Sequence, residues 1–238
     1  DVYKRQQLIL RQCDQALSDV TSSSQALTGS VSVGLAPGTA ASSLAVPLLK
    51  RVRELHPGIT LYLNENYGVT LSELIMSGRM DMAVLYGGRE IHGLNFIPLL
   101  REILYLVSAD DELANRAQLP LARVAQMDLL LPRQYNVVRR LVDEAFARLA
   151  LAPRVIAEVE SASTLRSAVA DRFAATILPE SAARAVGTQS GAHLSRIVEP
   201  MIEAPLTLCL SAHLPLSVPA QAVTVSYTHL TLPTSDLV

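Results

Sequence analysis

The chain of 238 residues is half hydrophobic and carries a formal net charge of −2. That length suffices for one large domain or two modest ones. With no Trp and three Phe, the core must consist mainly of Leu, Val, Ile and Ala, a composition that favours an α/β protein. The Lys and Arg residues are scattered, which excludes a basic surface for nucleic acid along the chain. We therefore do not expect the chain to bind DNA by itself.

The Cys and His residues indicate neither a disulfide framework nor a metal site. Cys13 and Cys209 lie far apart in the sequence, which is typical of a reducing compartment and predicts a cytoplasmic protein. The five His residues have no metal-ligand spacing, so we expect neither a metal nor another cofactor. No run approaches the roughly 18 consecutive apolar residues of a membrane span, and we expect no membrane partner.

The two ends of the chain differ from the periodic sequence beside them. Residues 1–6, DVYKRQ, and residues 224–238, TVSYTHLTLPTSDLV, do not continue the neighbouring patterns. We interpret them as a non-native leader and a non-native tail, and we exclude them from the predicted fold. The alternative is a natural disordered tail.

Residues 7–28 are predicted to form a helix with a coiled-coil seam. Its apolar positions follow the a/d spacing and include Leu10, Cys13, Leu17 and Val20. One such helix cannot bury its apolar stripe alone, so these four residues are predicted to form a dimerisation surface. Gly29 is predicted to end the helix at the C′ position.

After this helix the pattern alternates between strands and helices. The first set of predicted elements is a strand at 31–35, a helix through Leu44 to Leu55, a strand at 59–64, a helix that starts at Thr70, and a strand at 80–86. Thr70 is predicted to be the N-cap of its helix, with Glu73 at the capping-box position. A long extended run at 96–109 is expected to leave this sheet and enter another.

A second set of elements repeats the first. It consists of strands at 129–131, 155–159 and 175–178, helices at 137–150, 162–171 and 180–186, and a returning strand at 205–213. We predict two Rossmann-like subdomains joined by two crossing strands, with a cleft where both sheets present their strand ends. Subdomain I would comprise 29–104 and 205–223, and subdomain II would comprise 105–204.

Five stretches of the sequence resemble the regulatory domain of LysR-type transcriptional regulators. They are GSVSVGLAPGTAASSL, ELHPGITLYL, SGRMDMAVLYG, REILYLVSADDELA and ATILPESAA, in that order. The resemblance implies a periplasmic-binding-protein-like domain that senses a small molecule between its halves, and a homodimer or homotetramer paired through the linker helix. It further implies that DNA is bound only through a helix-turn-helix domain missing from this fragment. A last helix is expected after Val223 in the family, and here it looks lost or replaced.

The turn after the first strand is the first candidate effector site. Small hydroxyl residues at the start of a helix can hold a carboxylate or a similar small anion. The resemblance assigns effector contact to Thr39, Ala40 and Ser42. The alternative is ordinary capping, with Ser42 or Ser43 as the N-cap.

Other candidate effector contacts follow the remaining strands. They are Glu65, Tyr67, Tyr86, Gln134, Ser161, Ser163 and Thr164. Two opposed helix N-termini would suit an anionic ligand. For each of these residues alone, the alternative is a helix cap or a turn at a strand end.

One stretch departs from the family pattern. Where members commonly carry Gly-x-Gly before the strand that ends in Leu-Pro, this chain has Arg172, Phe173 and Ala174. Phe173 is expected either to fill the edge of the cleft or to lie in the core. Arg172 is expected either to reach a ligand or to face water. The departure weighs against a roomy effector pocket.

Three other functions compete with effector sensing. We predict no enzyme, because the chain lacks a nucleophile elbow, a Walker loop and a dinucleotide fingerprint. Asp81 is interpreted as a structural cap. A solute-binding protein for transport shares the predicted fold, but it would not need the coiled-coil helix. An effector-independent oligomerisation domain differs from the sensor only in binding no ligand.

Overall fold

The computed structural model describes residues 27–37, 40–87 and 91–231. These residues divide into two compact units. Unit 1 contains 27–37, 41–100 and 206–231, and unit 2 contains residue 40 and 101–205. The predicted dimerisation residues Leu10, Cys13, Leu17 and Val20 lie outside the described residues.

Unit 1 is built on a mostly parallel sheet. Its elements are β1 (Thr28–Leu35), α1 (Ala40–Leu55), β2 (Gly58–Glu65), α2 (Gly68–Met76), β3 (Met82–Tyr86), the start of β4 (Leu94–Ser108), most of β10 (Glu203–Ser211) and α7 (Val218–Thr231). The strand order is β2-β1-β3-β10. β1 pairs in parallel with both β2 and β3, whereas β10 runs antiparallel to β3.

The core of unit 1 follows from the apolar strands and from one face of each helix. All five residues of β3 are buried, as expected for a strand covered on both faces. Leu71 and Ile75 of α2 pack in a cluster with Met80 and Ala83. Leu48 and Val52 are the buried face of α1. Each of the two helices therefore buries part of one apolar face.

Unit 2 contains a second sheet with its own helices. Its elements are the end of β4, a 3₁₀ turn (Asp111–Leu113), β5 (Gln118–Pro120), α3 (Leu121–Val124), β6 (Asp128–Leu131), α4 (Val137–Arg148), β7 (Arg154–Glu158), α5 (Ala162–Ala170), β8 (Ala175–Pro179), α6 (Glu180–Ser190) and β9 (His193–Val198). β6 pairs in parallel with β7 and β8, and β4 runs antiparallel to β8 and β9.

The N-terminus of helix α6 in unit 2 is capped by a side chain from strand β4. Its N-cap residue is Pro179, whose side chain has no acceptor. The buried carboxylate of Glu102, in β4, instead accepts a hydrogen bond from the backbone N–H of Ser181 at 2.8 Å. A buried carboxylate at a helix N-terminus is stabilised by the dipole and by the free N–H groups.

The predicted α/β alternation is confirmed, and five details are corrected. Gly29 does not end a helix, because it lies inside β1. Thr70 is not an N-cap, because α2 already begins at Gly68 after Tyr67. β5, α3 and β9 were not predicted. They are short or half-exposed, so their apolar periodicity is weak.

The last helix was predicted to be lost or replaced, and the first of these alternatives was wrong because a helix is present. α7 spans Val218–Thr231 and buries Ala220, Val223 and Tyr227 completely. These residues lie three and four positions apart and therefore share one helical face. The predicted fold ended at Val223, so Tyr227, the third buried residue of this apolar face, was left out of it. Within the described parts of the chain, no helix is both long and apolar enough to cross a bilayer.

Asp81 connects β1 to the beginning of β3. Its carboxylate oxygen Oδ2 accepts hydrogen bonds from the Ser32 N–H at 2.8 Å and from the Ser32 hydroxyl at 2.6 Å. The Asp81 N–H in turn donates to Ser32 Oγ at 2.9 Å. β3 begins only at Met82, so the side chain of Asp81 supplies an acceptor just before the backbone pairing starts. The structural interpretation of Asp81 agrees with these contacts.

We expect Ser32→Ala to lower the free energy of unfolding by about 1–3 kcal/mol, because it removes a hydrogen bond to a carboxylate and leaves the Asp81 N–H without its acceptor. Urea unfolding monitored by circular dichroism measures the change. Ser30→Ala is the matched control, since Ser30 is an exposed residue of the same strand. Equal effects of the two substitutions would contradict the structural role of the Ser32–Asp81 contact.

Candidate functional site

The loops of unit 1 that carry candidate residues meet at one edge of its sheet. β1, β2 and β3 are parallel, so their carboxyl ends, at Leu35, Glu65 and Tyr86, lie at the same edge. Backbone hydrogen bonds connect these ends: Asn66 N–H donates to Leu35 O at 3.1 Å, and Ala36 N–H donates to Val84 O at 2.9 Å. We call the residues that end or directly follow these three strands the unit 1 rim.

Helix α1 starts directly behind the unit 1 rim. Ala40 is its first residue and Ser42 its third, whereas Thr39 lies outside the described residues. Ser42 and Ser43 are both inside the helix, so the prediction that one of them is the N-cap was wrong. The helix begins earlier than its apolar pattern indicates, because the small residues of its first turn carry no periodic signal.

The other unit 1 candidates differ in exposure. Glu65 is exposed at the end of β2. Tyr67 is 42% exposed and caps α2 with its backbone alone. Tyr86, at the end of β3, is buried. The structure thus brings these three residues to one sheet edge.

A second set of candidates lies on the corresponding edge of unit 2. β6, β7 and β8 are parallel, so Leu131, Glu158 and Pro179 end at the same edge. We call the residues that end or directly follow these strands the unit 2 rim. Gln134 follows β6 and is exposed. The remaining candidates of this rim are Ser161, Ser163 and Thr164.

Three helices, α4, α5 and α6, begin at the unit 2 rim, and the N-cap residues of the first two supply side-chain caps. Asn136 accepts a hydrogen bond from Val138 N–H at 2.9 Å and caps α4. Ser161 accepts from Thr164 N–H at 3.3 Å and caps α5. The hydroxyl oxygens of Ser161 and Ser163 are 2.9 Å apart. Capping, the alternative given for Ser161, is therefore observed.

Sequence reasoning missed a buried arginine beneath the unit 2 rim. The side chain of Arg139 is 9% exposed. Its Nε donates to both oxygens of Asp143 at 2.9 and 3.0 Å, and an NH1 hydrogen bond of 2.9 Å reaches Pro132 O. The guanidinium thereby holds the loop after β6 against α4. The spacing of Arg139 and Asp143 at i and i+4, with Arg on the apolar face of the helix, is the signal that could have revealed this pair.

Sequence reasoning also missed two acidic side chains on the unit 2 rim. The Tyr135 hydroxyl donates to Glu160 Oε2 at 2.7 Å. Arg133 lies 3.5 Å from Glu158 and 6.0 Å from the centre of the Tyr135 ring. This rim therefore carries both signs of charge beside the helix N-termini, whereas the sequence predicted only features that attract anions.

The departure from Gly-x-Gly lies away from the unit 2 rim. Arg172 and Phe173 precede β8, so they lie at the amino end of that strand, the opposite edge from the rim. Phe173 is 63% exposed. Both alternatives for Phe173, the cleft edge and the core, were therefore wrong, and the stated reason to question a roomy pocket does not apply at the rim.

Arg172 has the backbone conformation that glycine would adopt there. Its φ is 57°. Its guanidinium bonds to both oxygens of Asp111 at 2.7 and 2.9 Å. The side chain is 59% exposed, so the predicted alternative in which Arg172 faces water agrees with the structure, and the ion pair with Asp111 is an addition to it. The Arg172 hydrogen bonds and charge lower the pKa of the Asp111 carboxyl. The contribution of the pair to stability is therefore complete above the ordinary carboxyl pKa and is lost as the pH falls through the lowered pKa of the folded state.

The described residues contain neither an activated Cys209 thiol nor a cluster of three or more side chains that could hold a metal ion. Burial raises the pKa of the Cys209 thiol to about 12, so this residue is not a reactive thiolate at neutral pH. No three His, Cys, Asp or Glu side chains converge on a possible metal position in the part of the chain that the structure describes.

Comparison with known proteins places this geometry in a family. The profile of the LysR substrate binding domain matches residues 24–226. The nitrogen assimilation regulatory protein nac of Klebsiella aerogenes is 44% identical over 222 residues, which cover 93% of this chain and 72% of that protein. Its counterpart in Escherichia coli K12 is 43% identical over the same shares of the two chains.

A solved structure shows the same fold. The regulatory domain of CcmR from Synechocystis PCC6803, determined in complex with 2-PG, has a TM-score of 0.77 at 20% identity. The match covers 87% of this chain and 99% of that one. The two α/β units therefore define a domain of the periplasmic-binding-protein-like class.

The chain belongs to the LysR family, through its substrate binding domain. Within the family it is closely related to the nitrogen assimilation regulatory proteins. The resemblance predicted from the five sequence stretches is confirmed.

We expect Arg172→Gly to be more stable than Arg172→Ala by about 1 kcal/mol, because both lose the Asp111 contact but only alanine is strained at positive φ. Urea unfolding of the two variants measures the difference. Arg166, in the interior of α5, is the control position, where glycine should be less stable than alanine by about 1 kcal/mol. The same order at both positions would contradict the left-handed conformation of Arg172.

Proposed function

We propose that this chain is the effector-sensing and oligomerisation domain of a cytoplasmic transcriptional regulator of nitrogen assimilation genes. The observation that carries the proposal is the 44% identity to a nitrogen assimilation regulatory protein over 93% of the chain. DNA binding would belong to a helix-turn-helix domain outside this sequence. We further propose that the domain catalyses no reaction, since its relatives are regulators and its buried thiol is not activated.

The effector contacts that we propose are the candidates of the two rims. In unit 1 they are Thr39, Ala40, Ser42, Glu65, Tyr67 and Tyr86; in unit 2 they are Gln134, Ser161, Ser163 and Thr164. Parallel sheets place loops and helix N-termini at the carboxyl edge of their strands, which is where α/β folds bind small molecules. An effector that binds one arrangement of the domain better than another would shift the population of oligomer geometries.

We expect at least one compound from a panel of small carboxylates, amino acids and nitrogen metabolites to raise the midpoint of thermal unfolding of the full chain. A ligand at about 100 times its Kd stabilises the folded state by about 2.7 kcal/mol. Gln134→Ala should reduce the shift without changing the midpoint of the free protein, because Gln134 is exposed and on the rim.

Gln126→Ala is the matched control for the effector experiment, since Gln126 is an exposed glutamine of unit 2 that is not on the rim. It should leave the ligand shift unchanged. If no compound shifts the midpoint, the effector-independent oligomerisation domain replaces the sensor. If Gln134→Ala and Gln126→Ala alter the shift equally, the unit 2 rim is not the contact surface.

We also propose that the predicted seam of Leu10, Cys13, Leu17 and Val20 pairs protomers as homodimers or homotetramers. Leu17→Asp should lower the average mass in sedimentation velocity, because a dimer would bury an unpaired carboxylate at the seam. Gln15→Asp adds the same charge off the seam and should leave the mass unchanged. A Leu17→Asp variant that keeps the wild-type mass would rule out the seam as the pairing surface.

A transport receptor is the second candidate with this fold. No observation favours it, because the relatives reported above are transcriptional regulators and cover nearly the whole chain. The predicted seam also distinguishes the two functions, since a receptor that works as a monomer has no use for it.

A further inference from the structure

Two histidine rings from distant parts of the sequence lie side by side on the surface of unit 1. The ring centres of His92 and His213 are 5.7 Å apart, and the ring planes are inclined to each other by 58°. Both residues are exposed, so an ion from solvent can reach both rings. No described residue donates a hydrogen bond to either imidazole or accepts one from it.

The backbone holds these two rings next to each other. The N–H of Ala212, which precedes His213, donates to the carbonyl of Gly93, which follows His92, at 3.0 Å. Gly93 has a φ of 89°, a conformation that favours glycine. Ser211 Oγ accepts a hydrogen bond from the His213 N–H at 3.2 Å. The positions of the two histidines are therefore fixed by main-chain contacts of both segments.

The distance between the rings fits one metal ion that is bound by both. A zinc ion lies about 2.0–2.1 Å from a ligating imidazole nitrogen, and therefore about 3.2 Å from the ring centre. Two rings that share an ion consequently have centres no more than about 6.4 Å apart. The observed 5.7 Å lies within this limit. Imidazole is a preferred ligand of zinc, copper and nickel, whereas magnesium and calcium prefer oxygen.

The number of ligands defines the kind of site. No third His, Cys, Asp or Glu joins the pair within the described residues. Water must then complete the coordination, so the ion is exchangeable and is not a closed structural metal. The spacing of histidines in the sequence gave no sign of this pair, because most of the chain of unit 2 lies between His92 and His213.

We propose that His92 and His213 form a surface site for one divalent late transition metal ion, of the class of Ni²⁺, Cu²⁺ and Zn²⁺. Each neutral imidazole supplies one nitrogen ligand. His92 lies two residues before β4, and His213 lies two residues after β10. These strands carry the chain between unit 1 and unit 2, so the ion would link the unit 1 ends of both. The inference goes beyond the proposed effector sensing and does not depend on it.

The test is isothermal titration calorimetry with NiCl₂ on the full chain without a histidine tag. We expect one Ni²⁺ to bind per chain, and MgCl₂ to give no binding at the same concentrations. His92→Gln and His213→Gln should each weaken Ni²⁺ binding by about tenfold or more, because each removes one of two protein ligands. Both residues are exposed, so the metal-free variants should keep the unfolding midpoint of the unmodified chain.

His56→Gln is the matched control and should leave Ni²⁺ binding unchanged. His56 is a histidine of unit 1 in the turn before β2, and β1 and β3 separate β2 from β10 in the sheet. Electron paramagnetic resonance of bound Cu²⁺ gives a second measurement. We expect nitrogen couplings from two imidazoles in the unmodified chain and from one imidazole in either single variant.

Three outcomes would overturn the inference. Ni²⁺ affinity that is equal in the unmodified chain, His92→Gln and His213→Gln shows that the two rings do not share an ion. Couplings from a single imidazole in the unmodified chain lead to the same conclusion. If none of Ni²⁺, Cu²⁺ and Zn²⁺ binds, the site does not exist. These results leave the proposed sensing function untouched, because the metabolite panel tests it separately.

Discussion

The parallel pairing of strands is the constraint from which the geometry of both units follows. A parallel strand needs a crossover before its neighbour can form, so each strand of the β1–β3 and β6–β8 sets is followed by a loop and usually by a helix at the same sheet edge. The loops after Leu35, Glu65 and Tyr86 meet for this reason in unit 1, although they are distant in sequence. The Asp81–Ser32 contact secures this arrangement, because it supplies hydrogen bonds to β1 just before β3 begins.

The electrostatics of the unit 2 rim depend on charges that fold onto it from different elements. Arg139, on the buried face of α4, donates a hydrogen bond to Pro132 O. Glu160, in the loop after β7, accepts a hydrogen bond from the Tyr135 hydroxyl. Helix N-termini alone would favour anions. The carboxylates of Glu158 and Glu160 lie on the same rim, so the rim carries both signs of charge beside the helix N-termini.

In the turn before β8, a residue other than glycine adopts the left-handed backbone conformation. Arg172 has a φ of 57° and bonds to both oxygens of Asp111. The conformation costs free energy for any residue with a Cβ, and the paired guanidinium offsets part of that cost. Because both partners are exposed, the offset is modest and decreases with salt. Replacing the usual glycines therefore changes the surface at the amino end of β8 rather than the rim.

Local sequence pattern was sufficient for the alternation of strands and helices and for the family, because apolar periodicity is a property of neighbouring residues. The local pattern failed where the periodic signal was weak and where the contact that fixes the structure joins residues far apart in the sequence. The start of α1 at Ala40 and the stripe ending at Tyr227 in α7 carried weak or truncated periodic signals. The sequence by itself determined that hydroxyl residues such as Ser161 follow the parallel strands. Only the tertiary structure decided that the Tyr135 hydroxyl donates to Glu160, because that contact joins residues 25 positions apart.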